Sequence, residues 1–364
     1  MALAAALLLL GSARGEAMER AVEALPLSDL ESFARENGIE LDVRGLIGRL
    51  TGESAAREAL PLLESLRAML EAAVREALPS ALTLAAPALL WALGRQLAGG
   101  GRLGAASELV CALSEASLLA SMFMGHLAAA RSSLERIAGL IERFHPVMSA
   151  LLAACGAPGL SGLMAPAGAL ATGLIASVMT RAVLSLSAAA AALAVVDGLG
   201  QMKLNGLFKL CVSVANWLMG GATTLFLGLM TAGGLLEGGR DSMALRAAEY
   251  AVDSLLPVIG GDLADALGAT ASGAALLRGA VGVTGAALLV GACLGPTLRL
   301  VSAVLGCRLA AALAQPAADG PLIRCLNGFA DAMQLLLLAQ AACAVLFLTI
   351  AGAGVAAGGS LAGL

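Results

Sequence analysis

The sequence predicts an all-α, polytopic transmembrane protein with a small N-terminal helical module. Of its 364 residues 59% are hydrophobic and only 13% are charged, against about 25% charged in an ordinary soluble domain. Long charge-free runs recur from Pro79 onward. The apolar residues are mainly Ala, Leu and Val, with 45 Gly and few aromatics. Such small residues let helices approach closely in lipid, where packing replaces the hydrophobic effect as the driving force.

Residues 1–17 read as a secretory signal. Ala2–Leu10 is an apolar core of suitable length, and small residues follow at Ala13, Gly15 and Ala17. No Lys or Arg precedes that core, a departure from the usual signal. Residues 18–78 then mix charge with apolar periodicity. Ser28 followed by Glu31 has the spacing of a capping box and predicts a helix start, with Asn37-Gly38 as its stop. A second helix is expected over Ser54–Leu78, where Leu63, Leu66, Leu70 and Val74 share one face and Glu64, Arg67, Glu71 and Arg75 the other. After a signal peptide this module is expected outside the cytoplasm.

Residues 79–364 form the expected membrane domain, with roughly six to eight spans of about 20 apolar residues each. Leu210–Leu236, Gly279–Leu298 and Leu335–Ala357 qualify outright. Val147–Val196 is long enough for two spans, with Pro158 and Pro166 breaking its first half. Gly104–Ala130 qualifies if it tolerates Glu108 and Glu115, and Pro79–Gly94 is short. If every candidate crosses, the outer loops carry more Lys and Arg than the inner ones, against the usual bias. Placing Pro79–Gly94 in the interface restores it. Stretches near 250–270 and 299–316 mix apolar and charged residues around Pro257, Gly260-Gly261, Arg299 and Arg308, and read as amphipathic or re-entrant pieces.

Several function classes are excluded or weakened. The net charge of −4 and the lack of a long basic run argue against nucleic-acid binding. The seven cysteines show no CxxC pair and read as small buried hydrophobes. No cofactor or metal motif is present. Gly159-Leu160-Ser161-Gly162 resembles the nucleophile motif of rhomboid proteases. Its chemistry needs a later His base, yet His126 and His145 both precede Ser161. Gly260-Gly261-Asp262 lacks the spacing of aspartyl intramembrane proteases. Glu108, Glu115 and His126 share a helix face at seven- and eleven-residue spacings, a possible intramembrane polar stripe. Gly291-xxx-Gly295 and Gly354-xxx-Gly358 match a helix-packing motif.

Longer blocks carry a family resemblance. Lys209–Gly234 with Trp217 is followed by Tyr250–Ala266, containing Pro257, Gly260, Gly261 and Asp265. Leu277–Gly285 follows, with Gly282, and then Arg308–Pro316, ending in Gln315-Pro316. In order and spacing these blocks resemble the stage III sporulation protein AE family, and Leu25–Ser32 is similar to the stretch after that family's signal. The resemblance implies a multi-pass mother-cell membrane protein of an endospore former. Its implied partners are the other subunits of a stage III sporulation complex, including an ATPase and ring-forming proteins, joining mother cell to forespore in a channel or secretion-like assembly. A scaffold or conduit is implied rather than a catalyst. The alternative is a stand-alone secondary transporter with a broken-helix substrate site near Pro257.

Overall fold

The computed structural model describes residues 25–39, 41–50, 102–154, 158–198, 204–232, 260–315 and 320–359, with five isolated positions between 71 and 86. The expected signal segment, Pro79–Gly94 as a run, most of the Ser54–Leu78 helix, Pro257 and Pro316 lie outside them. Helix is the only regular structure among the described residues.

Helix α1 (Ser28–Glu36) starts where the sequence marks a start, but the capping box does not form. Leu27 is the N-cap and no side chain bonds there. Ser28 already lies inside the first turn, and Glu31 turns to Arg44, 2.6 Å away. The stop is as expected: Gly38 takes φ +64°, and the N–H groups of Gly38 and Ile39 bond back to the carbonyls of Arg35 and Ala34. A glycine with positive φ is the usual way to close the last turn. Helix α2 (Val43–Leu50) follows, with the Asp42 carboxylate accepting the Gly45 N–H at 3.0 Å, an N-cap bond.

Helix α3 (Arg102–Ala154) runs 53 residues through Pro146. Helix α4 opens on Pro158 and extends to Leu174, since proline suits a first helical position that needs no N–H. A π-helical segment (Ile175–Val183) joins it to α5 (Leu184–Gly198). Helices α6 (Asn205–Ala232), α7 (Gly260–Ala314) and α8 (Gly320–Gly359) complete the described chain. Among the described residues, four stretches are long and apolar enough to cross a membrane: Met164–Asp197, Asn205–Thr231, Gly279–Ala314 and Ile323–Val355.

Two expected breaks are absent. Pro166 leaves α4 intact, and α7 carries straight through Pro296 into the stretch from Arg299 that was expected as a separate piece. A proline inside a helix loses one backbone bond. Beside it the Thr297 hydroxyl donates to the Cys293 carbonyl at 2.8 Å, and α3 and α8 hold α7 along its length. The charges that argued for a break are exposed: Arg299 and Arg308 both point outward.

Helix α8 is the hub, packing on α7, α5, α3 and α6. Paired contacts fix the register. Phe144 meets Phe347 at one level, with ring centroids 5.2 Å apart, and Phe123 meets Phe329 at another, at 5.8 Å. Helix α3 therefore runs parallel to α8. Helix α7 runs antiparallel to both, with Gly285 under Phe144 and Gly282 under Val355. The small module α1–α2 docks on α3 and α7. Ile39 sits over Gly291, Glu36 pairs with Arg143 at 2.7 Å, and the Arg143 guanidinium lies 5.5 Å from the Phe33 ring centroid.

Candidate functional site

The polar residues of the α3–α7–α8 seam gather at two levels. At the end formed by the N-terminal half of α3, Glu115 is fully buried, and neither carboxylate oxygen has a hydrogen-bond partner among the described residues. Its electrostatic neighbours are Cys307 of α7 and Cys325 of α8. The rim at this level is charged: Arg308 reaches Asp331 at 3.1 Å and Gln334 at 2.7 Å, and Arg324 reaches Asp197 at 3.4 Å. A buried polar group without a partner costs about 1–3 kcal/mol. Glu115 is thus the least compensated side chain in this part of the core.

Further along, Ser133 lies against Cys293 with Arg136 close by. Thr297 donates to Gln340 at 3.4 Å. Ser133 Oγ, Arg136 Nε and Gln340 Nε2 are buried there without hydrogen-bond partners among the described residues. These groups are mostly donors, so this level favours an acceptor such as water.

The singled-out residues are spread across the bundle. Glu115 and His126 both turn toward α7, Glu115 to Cys307 and His126 to Arg299. The side chains of Glu108 and Asp265 lie outside the described residues. Gly260 and Gly261 open α7. Gly282 is buried where an added Cβ would strike Val355 Cγ2, Gln315 is exposed just past α7, and Trp217 is 77% exposed on α6. The described ones among these positions do not converge on one cavity. Ser161 is tied down, donating to the Ser149 carbonyl at 2.9 Å, so it ties α4 to α3. The interhelical ion pairs were invisible to sequence reading, because their partners lie far apart in the chain and share no periodic spacing.

A family model described as stage III sporulation protein AE matches residues 58–358. The chain belongs to this family. The match covers α3 to α8, so the seam and both its polar levels lie within it. A curated relative, stage III sporulation protein AE of Bacillus subtilis (strain 168), is 32% identical over 127 residues. That stretch is 35% of this chain and 32% of the relative, so only about a third of the relative's length is aligned. No solved structure matches the chain. Family membership gives the protein a role in sporulation, and its apolar helices make it a membrane protein.

Proposed function

We propose that this protein is a membrane subunit of the complex that joins mother cell to forespore, acting there as scaffold or conduit. The family match across residues 58–358 carries this reading. The architecture supports it: long helices packed on a central one, with small residues at the contacts, suit a rigid membrane component. The reading places the chain in the mother-cell membrane facing the forespore. An ATPase and ring-forming subunits act as its partners, and α1–α2 lies on the side away from the cytoplasm. The polar groups at Glu115 and at Ser133–Gln340 serve assembly or passage rather than bond-breaking. The transporter alternative rests on residues around Pro257, outside the described part of the chain.

The test is genetic and biochemical. Deleting the gene should abolish heat-resistant spores and arrest development after engulfment, and the tagged protein should co-purify with other membrane subunits from sporulating cells. Normal spore counts in the deletion strain would overturn the reading. Solute uptake by the purified chain alone in vesicles would favour the transporter instead.

A further inference from the structure

The bundle has two unlike sides. Helices α6 and α8 expose apolar residues, among them Trp217, Leu225, Val345 and Leu348, the surface expected against lipid tails, whereas α7 exposes Leu309 together with Arg299 and Arg308. Helix α3 behaves differently. Its exposed large hydrophobics, Val110, Leu113, Leu118 and Met124, all precede Gly125. From Arg131 to Glu142 its exposed residues are Arg131, Ser132, Glu135 and Glu142, with Arg131 and Glu135 paired at 3.7 Å.

The depth of this stripe is fixed by its neighbours. Phe123 and Phe144 bracket it and meet Phe329 and Phe347, both inside the apolar span Ile323–Val355. Ser133 lies against Cys293, inside the span Gly279–Ala314. The charged face is thus level with the middle of two apolar spans. Arg181 adds to it. Gly168 lies against His145 and Ala194 against Gly328, and Arg181 falls midway between Gly168 and Ala194. That sets its level at Arg131–Glu135, on a π-helical segment that packs beside α3. Arg181 is exposed as well. At the other end the module α1–α2 continues the polar surface with exposed Arg35, Glu36, Asp42 and Arg44.

Ionisable side chains at membrane depth face a water-filled cavity or a protein partner, seldom lipid. We propose that the outward face of α3 from Arg131 to Glu142, together with Arg181, lines a water-filled passage, while α6 and α8 face lipid. This deepens the conduit reading above and rests on it. The mixed charges, Arg131 and Arg181 with Glu135 and Glu142, fit a hydrated wall without strong selection for either sign of ion.

The test uses the full chain in isolated, opened membranes of sporulating cells. Cysteines are introduced singly as Ser132→Cys, Glu135→Cys and Arg181→Cys, with Leu225→Cys and Val345→Cys as lipid-side controls. A sulfonated, membrane-impermeant maleimide is the probe, and labelling of the parent chain is subtracted. Maleimide needs the thiolate, which forms in water and not in hydrocarbon. The three wall positions should label at least about tenfold faster than the two controls. Equal, slow labelling at all five positions overturns the proposal. So does a wall that is unreactive in the isolated, opened membranes but reactive in the purified chain, because a protein partner then covers it. Spore counts for each variant report folding and assembly, and Ser132→Cys, a near-isosteric change at an exposed site, keeps the test open if the charge variants fail. A deletion strain that sporulates normally sinks the conduit reading separately and leaves the labelling pattern standing.

Discussion

The two ends of the α3–α7–α8 seam are built on opposite principles. At the end of Phe144 and Met148 the helices meet through glycine. A Cβ built on Gly285 would lie 2.5 Å from Cε2 of Phe144, and one on Gly354 would lie 2.5 Å from Cγ of Met148. Phe144 and Phe347 fill the space those glycines open. At the other end the seam encloses Glu115, a carboxyl without a hydrogen-bond partner among the described residues, beside two buried thiols. The first end is optimised for close approach. The second leaves a polar group unsatisfied where a leucine would fit the apolar surroundings. Polar residues kept at the expense of stability point to work other than folding, and the proposed role of Glu115 in passage or assembly rests on this contrast with the close-packed glycine end.

The largest effect should come from filling the glycine end. Gly285→Leu drives a branched side chain into the Phe144 ring, and overpacking of this kind costs about 3 kcal/mol. Thermal unfolding of the purified protein in lipid discs should show a clearly lowered midpoint and reduced yield. Gly354→Ala should cost less, about 1 kcal/mol or below, because Met148 is unbranched and can shift. Equal losses for the two would mean that neighbouring side chains do not set the tolerance at this end.

At the opposite end the expected sign reverses. Glu115→Leu removes a buried carboxyl that has no partner among the described residues, and the protein should gain about 1–3 kcal/mol in the same unfolding assay. Spore formation should fall if the carboxyl takes part in passage or assembly, giving a variant that is more stable and less active. A loss of stability in Glu115→Leu would show that the carboxyl is held by a group outside the seam, and the contrast between the two ends would collapse.

Much of this arrangement was legible in the sequence, and the failures have a common cause. The apolar runs from Leu210 and Leu335 and the stop at Asn37-Gly38 are local signals, and local signals survive into the fold. Glu115 and His126 share a face because a helix repeats every 3.6 residues, whatever it packs against. The glycine motifs show where local reading ends. Gly354 does meet another helix, at Met148, whereas Gly291 meets Ile39 of the N-terminal module and Gly295 has open space around it. Spacing says that a face is smooth but not which partner covers it. Arg299 and Arg308 misled for the same reason. They argue for a break, and only the flanking helices and the outward path of both side chains show why none is needed.

The smallest expected effect tests whether the rim around Glu115 is structural. Arg308 bonds Asp331 and Gln334, yet its side chain is 48% exposed and that of Asp331 43%. Exposed pairs of this kind contribute about 0.2–1 kcal/mol. A double-mutant cycle on Arg308→Ala and Asp331→Ala should therefore return a coupling below about 1 kcal/mol, shrinking further as salt is raised. A larger, salt-insensitive coupling would mean that the rim is shielded from water in the assembled protein. The Glu115 end would then be closed by a partner, and its unsatisfied carboxyl would have to be read as part of a subunit contact.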